Sequence, residues 1–299
     1  MDLAAPRTSF VIATRDRADE LSGTLVRLLQ TTRCPMVVVD NGSRDASRDV
    51  TISVAQSHPQ GRRIKLVALR RNRGAVARNV GVAACDTPFV AFCDDDSWWQ
   101  PDATRIGAEL FDRHPSVALL AAQTVVWPQG RRDPFCEQLA NSALGHAPGL
   151  PGPSVLGFQS CSAMVRRSAF LAVGGFSAVL HFRGEEQLLA LDLAAAGWDL
   201  CYCPNLVAFH RPSPRRATPP VQRARVLRND FLTSCMRRPP RACVSTSGEL
   251  LRAAVRDAAH AKAAAEALIR LPAALRNRRR LAPELERKVR LLEAAAQPD

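Results

Sequence analysis

The strongest constraint on the fold is a repeated order: short apolar runs alternate with amphipathic stretches, and each run ends on a polar cluster. Residues 9–13, 36–40, 64–69 and 89–92 are the apolar runs. Between them, 20–30, 46–57 and 76–85 carry helical spacing; in the first, Leu21, Leu25, Leu28 and Leu29 share one face. Strands alternating with helices through short connections predict an α/β chain whose mostly parallel sheet has helices on both faces. Such sheets take ligands at the C-terminal strand ends. The polar clusters fall there: Thr14, Arg15 and Asp16; Asp40 to Ser43; Arg70 to Gly74; and Asp94, Asp95 and Asp96.

Further along, 128–153 is rich in Pro, Gly and short polar residues and is expected to be a long loop over the site. A strand over 159–165, a short helix over 168–173, a longer helix over 185–196 and a last strand over 200–209 follow. Pro212, Pro214, Pro219 and Pro220 mark a linker. Helices over 249–271 and 282–296 are expected in the remainder. The reading divides the chain into a domain over 1–211 and an extension over 212–299. At 46% hydrophobic and 23% charged residues, the composition excludes wholesale disorder. Nine unevenly spaced cysteines and no basic-then-apolar leader predict a cytoplasmic chain with reduced thiols. No run is apolar enough to suggest a membrane span.

Charge is uneven. Residues 211–299 hold 20 basic against 8 acidic side chains, while 1–210 hold 21 against 20. The basic segment predicts an anionic partner, and an anionic membrane surface is the expected one. Its pairs and clusters include Arg237 with Arg238 and Arg276 to Arg280. The alternative is a solvated extension packed on the rest. Nucleic acid is disfavoured: no zinc-finger, helix-turn-helix or aromatic-and-basic strand pattern is present.

Three adjacent carboxylates repel one another unless a cation neutralises them, and hard oxygen ligands suit Mg²⁺ or Mn²⁺. On an extended strand end Asp94 and Asp96 share a face and can reach one cation, while Asp95 points elsewhere. A solvated acidic turn is the alternative. Asp40 can accept from a base N–H or a ribose hydroxyl, or simply close a β-to-α turn. The Arg78 guanidinium can hold a diphosphate as a fork, or lie exposed on its helix. Trp98, Trp99 and Trp198 offer stacking surfaces for an acceptor, or fill the core.

The segments 11–17 (VIATRDR), 37–43 (VVVDNGS), 72–81 (NRGAVARNVG) and 89–99 (FVAFCDDDSWW) occur in the order of family 2 glycosyltransferases and resemble them. So do 174–176 (GGF), 184–186 (GEE) with 196–198 (AGW), and the closing strand and histidine at 204–210. The resemblance covers about 9–210. It implies the GT-A fold, a nucleotide-diphospho-sugar donor, a glycan or lipid-linked acceptor, a divalent metal and inversion at the anomeric carbon. It implies donor contacts at Thr14, Arg15, Asp16, Asp40, Asn72, Gly74, Arg78, Asp94 and Asp95, and metal contacts at Asp94, Asp96 and His210.

Two departures matter. The family's base is the aspartate of a Glu-Asp pair; here the pair is Glu185 and Glu186, with Glu186 at the base position and Glu185 the other candidate. Where the family often has an aromatic residue, this chain has Arg15, whose planar guanidinium can stack instead. Rival readings are a sugar-nucleotide nucleotidyltransferase, which would need a Gly-rich loop absent after the first strand, and a non-catalytic sugar-nucleotide- or nucleic-acid-binding protein.

Overall fold

The computed structural model describes residues 5–213 and 218–296. Among them a nine-stranded sheet is built from β1 (Thr8–Thr14), β2 (Met36–Asp40), β3 (Ile64–Ala68), β4 (Phe89–Cys93), β5 (Ser97–Trp99), β6 (Val117–Val126), β7 (Arg131–Arg132), β8 (Ala163–Arg166) and β9 (Asp199–His210). Its order is β3-β2-β1-β4-β8-β6-β9-β5, with β7 paired to β6. The first four strands run parallel, and β8 enters antiparallel between β4 and β6.

The period-2 alternation of the strands creates two cores. Phe10, Ile12, Met36, Val38 and Phe89 join Leu21, Leu25 and Leu28 of α1 (Ala18–Thr31) on one face. Val11, Val37, Val39, Val90 and Phe92 pack on the other face with α3 (Val76–Ala83) and α7 (Glu185–Ala195). The remaining helices of the sheet region are α2 (Ser47–Ser57), α4 (Ala103–Arg113), α5 (Pro134–Ala140) and α6 (Arg167–Ala172).

α4 and β6 occupy a stretch for which the sequence predicts no element. The β6 sequence VALLAAQTVV lacks alternation because nearly every position is buried, and such a run does not declare its period. The expected loop over 128–153 is corrected too. It contains β7 and α5, whose N-cap Asp133 accepts from the Phe135 N–H. Beyond α5 the chain runs along β9, where Tyr202 N–H donates to the Pro153 carbonyl and Val155 N–H to that of Leu200. The stretch thus begins with β7 paired to Val125 and Val126 at the His210 end of the sheet and ends packed along the start of β9.

Beyond β9 lie α8 (Pro219–Arg237), α9 (Pro240–Ala254), α10 (Ala258–Arg276) and α11 (Pro283–Ala296). Pro219 and Pro220 do not extend a linker; they open the first turn of α8, where a missing N–H costs nothing. Pro214 lies outside the described residues. The single helix expected over 249–271 is two, because the Asp257 side chain caps α10 by accepting from the His260 N–H. No helix among the described residues is long and apolar enough to cross a membrane.

The extension is docked on the sheet domain. Leu232 and Met236 of α8 and Ala274 of α10 bury Leu180 and Leu188. Arg237 makes a fork to Asp192 of α7, one arm at 3.0 Å. Arg238 binds both oxygens of Glu286, at 2.7 and 3.0 Å, and those of Glu293. Arg237 and Arg238 therefore tie helices together, which removes this pair from the basic surface expected from sequence. Arg237→Ala leaves Asp192 half-buried beside a cavity. It should cost about 3 kcal/mol, read as a shift in the urea midpoint; an unchanged midpoint would show that the fork contributes nothing to docking.

Candidate active site

The strand ends converge as their order demands. Parallel register sets Thr14 beside Asp40 and Ile12 beside Cys93, so the residues after β4 rise next to the end of β1. Thr14 Oγ1 donates to Asp95 at 2.9 Å, which makes it a support for the acidic triplet. Asp16 adopts a left-handed φ of 54°; its N–H donates to Ser43 Oγ at 3.1 Å, and its carboxylate accepts the Arg44 N–H at 2.7 Å. Arg15 is exposed and sits 3.3 Å from Asp16. Asp40 is buried, accepting from the Ser43 N–H at 3.2 Å and from Arg48 at 3.1 Å.

Asn41 is one of two residues that sequence reasoning missed. Its Oδ1 accepts the Arg73 N–H at 2.8 Å, and its Nδ2 donates to Asn72 Oδ1 and to the Gly74 carbonyl, both at 3.1 Å. It locks the loop after β2 to the loop after β3. The only signal in sequence was an amide next to Gly42, which reads as turn chemistry. Asn72 in turn accepts the Gly74 N–H at 2.8 Å. Gly74 has φ 60°, and a Cβ there would lie 2.1 Å from the His181 carbonyl oxygen. That close approach admits no other residue and brings the 174–184 segment against the strand ends.

The acidic triplet splits three ways. Asp94 lies 2.6 Å from Arg78 of α3. Asp95 is held by Thr14; burial, then the charges of Asp96 and Asp94, push its carboxyl from 3.8 up to about 8. Asp96 faces His210 Nε2 at 3.3 Å and accepts the Ser213 N–H at 3.2 Å. The β5–β9 pairing, with Ser97 opposite His210, makes this encounter.

Arg78 corrects an expectation. Only 6% exposed, it is no open fork for a diphosphate. Burial works against its charge, but Asp94, Glu185 and Glu186 outweigh burial and raise its pKa. Glu185 Oε1 lies 4.0 Å away. One guanidinium thus stands between the carboxylate after β4 and the carboxylates that open α7.

Those two glutamates differ. Glu185 is buried, with its pKa raised by burial and by Glu186 against the pull of Arg78, and its Oε2 has no hydrogen-bond partner. Glu186 is half-buried and accepts from Ser160 Oγ at 3.0 Å. The turn before them is left-handed at His181, Arg183 and Gly184, with φ of 65°, 74° and 73°. Asn229 of α8, fully buried, holds it: Nδ2 donates to the carbonyls of Leu180 at 3.1 Å and Phe182 at 3.0 Å, and also reaches that of Arg183.

The tryptophans are corrected as a set. Trp99 is buried and its Nε1 donates to the Phe92 carbonyl at 2.9 Å. Trp98 stacks on Phe209 at 5.7 Å between centroids and is covered by Arg27 at 4.1 Å. Trp198 precedes the first residue of β9, which pairs with Val117 at the end of the sheet opposite the site. None of the three offers an acceptor platform.

Among the described residues no group of three or more His, Cys, Asp or Glu is gathered as metal ligands. Mg²⁺ and Mn²⁺ do not require one, because they bind through one or two protein ligands and complete their shell with water and substrate phosphates. Asp96 and His210 supply a hard oxygen and an imidazole nitrogen at one point. Beside them the Asp95 carboxyl is raised by burial first and by the charges of Asp96 and Asp94 after it. This donor set fits a divalent cation, with Asp96 and His210 as the pair to hold it and Asp94 turned toward Arg78.

Residues 9–174 match the family described as glycosyl transferase family 2. A pre-mycofactocin glycosyltransferase of Mycobacterium tuberculosis is 36% identical over 143 residues, 46% of this chain and 29% of that protein. The succinoglycan biosynthesis protein ExoO of Rhizobium meliloti is 35% identical over 107 residues, 33% of this chain and 28% of that one. The matched region therefore spans under a third of either relative. Among solved structures, the mannosyltransferase PcManGT from Pyrobaculum calidifontis, in complex with GDP-Man and Mn²⁺, superposes with a TM-score of 0.62 at 20% identity, covering 98% of this chain and 80% of that one. Staphylococcus aureus TarS 1-349, in complex with UDP-GlcNAc, gives 0.56 at 18% identity, over 76% and 66%. The likeness establishes the GT-A fold.

The Asp95 carboxyl has a pH consequence. Its folded-state pKa lies above the unfolded value, so the folded state keeps a proton that the unfolded chain gives up, and stability falls as pH rises between the two. In chelator, the Tm advantage of Asp95→Asn over the wild type should widen from pH 5 to pH 8. Adding Mn²⁺ should narrow it. A constant difference across that range would remove Asp95 as the titrating group.

Proposed function

The chain belongs to glycosyl transferase family 2, and we propose that it moves a sugar from a nucleotide-diphospho-sugar to a hydroxyl acceptor, with inversion at the anomeric carbon. The acceptor class we assign is a glycan or lipid-linked glycan. The observation that carries this reading is the placement of Arg78 between Asp94 and Glu185, which sets a cation corner and a base corner on either side of one buried group.

In this mechanism Asp40 and the loop at Thr14 to Asp16 border the nucleoside. A divalent cation held by Asp96 and His210 would act as a Lewis acid for the departing diphosphate. Glu186 is the base that accepts the acceptor proton: it is the reachable one of the pair, and Ser160 fixes its rotamer. Glu185 is the positioning partner, buried against Arg78. Water must be kept from the donor, and the pinned turn 181–184 closes on Gly74 at that side.

Attachment to the cytoplasmic face of a membrane is part of the proposal. Supporting it, Val244, Leu251 and Val255 lie along one side of α9 and its C-cap at 71%, 61% and 87% exposure, near Arg241, Arg252 and Arg256. Apolar side chains flanked by arginine suit an anionic lipid surface.

Glu186→Gln should bind nucleoside diphosphate normally and lose transfer by about 10²–10⁴-fold; undiminished turnover would shift the base role elsewhere. Asp96→Ala should remove the Mn²⁺ dependence of nucleotide binding in calorimetry while the fold persists, and wild-type metal dependence in that variant would refute the cation corner. Full-length protein should co-sediment with anionic vesicles at low salt, and the triple substitution of Val244, Leu251 and Val255 by Glu should abolish it. Equal sedimentation of both would discard the α9 surface.

A further inference from the structure

A cavity of ≈ 700 Å³ lies among α8, α9 and the start of α10, with Arg183 in its wall. That is the size of a small-molecule site. Its apolar lining includes Val226 and Leu227, and Arg223, Arg252 and Arg256 add guanidinium groups. Among the described residues these three arginines have no ion-pair or side-chain hydrogen-bond partner. Two carboxylates line the cavity, Glu249 and Asp257, the latter engaged as the cap of α10 and by His260, so four guanidinium charges face two carboxylates.

Arg183 joins the cavity to the active site. Its backbone is held left-handed, a conformation that costs energy for a non-glycine residue and recurs at binding sites. One arm donates to Gln222 at 2.6 Å, while its buried Nε has no partner. Two residues later the chain reaches Glu185, and then Glu186. A ligand anchored on Arg183 therefore lies one short turn of chain from the proposed base.

We infer that this cavity is a subsite for an acceptor that carries a phosphate group on an apolar chain, the phosphate meeting the arginines and the chain lying on Val226 and Leu227. The assignment of that ligand as the acceptor rests on the transferase reading; the binding chemistry of the cavity does not. Planar guanidinium groups bind phosphate oxygens in pairs, and the apolar lining adds what a free anion cannot use.

The test is calorimetry on the full-length protein with hexyl phosphate and with inorganic phosphate, for the wild type and for Arg252→Ala/Arg256→Ala. Hexyl phosphate should bind at least tenfold more tightly than inorganic phosphate, and the double variant should lose at least tenfold of that affinity while circular dichroism stays unchanged. Equal affinity for the two phosphates, or equal binding by the two proteins, would overturn the inference. Phosphatidic acid vesicles separate the other source of phosphate: vesicle binding without hexyl phosphate binding means a charged surface and no subsite. A parallel titration with nucleoside diphosphate and Mn²⁺ reads the donor site. Loss there with hexyl phosphate binding intact would sink the transferase reading and leave the cavity standing.

Discussion

The buried Arg78 guanidinium is the interaction on which the site depends. A charge taken out of water is tolerable only when its partners are close, and here the partners come from opposite halves of the fold: Asp94 after β4 at 2.6 Å and Glu185 at the start of α7 at 4.0 Å. Replacing Arg78 with a neutral residue would strand the buried Glu185 carboxylate and leave the partly exposed Asp94 without its partner. The pairing turns an electrostatic liability into a distance constraint. It fixes how far the loop after β4 stands from the start of α7.

A second constraint comes from the C-terminal helices. The turn before Glu185 has three left-handed residues within four positions, two of them not glycine. Local sequence preference does not produce such a turn; it persists because Asn229 supplies hydrogen bonds to its carbonyls and Arg228 adds another to Leu180 at 3.1 Å. The docked core of Leu180, Leu188, Leu232 and Met236 keeps α8 in place to do so. The extension thus holds the turn that precedes Glu185, in addition to being the basic segment of the chain.

The fold was legible in sequence where an element was short and bounded by polar clusters or showed a helical face. β1, β2 and β4 are buried nearly throughout, yet each is a brief apolar run closed by polar residues, and α1 shows its face by spacing. β6 was silent because a ten-residue run buried on both faces cannot be told from a buried helix. At the site, residue identity was readable but partnership was not. Arg78 looked like a surface fork because helical spacing does not say that Asp94 will rise beside it. Trp98 and Trp99 follow the acidic triplet one residue on, after Ser97, which suggests a binding platform; the short β5 pairing with β9 turns them into the sheet core instead. Asn41 and Asn229 were missed for one reason: each acts by cross-linking segments far apart in sequence, and a lone amide carries no mark of its distant acceptors.

The Asn229 clamp also bears on biogenesis. During synthesis the sheet and its acidic loop can assemble as soon as β9 has left the ribosome, yet the peptide groups of Leu180, Phe182 and Arg183 receive their donor only when α8 emerges. A nascent chain halted between those points would own every strand, yet the turn that opens α7 would lack its clamp. Order at that turn therefore waits on α8.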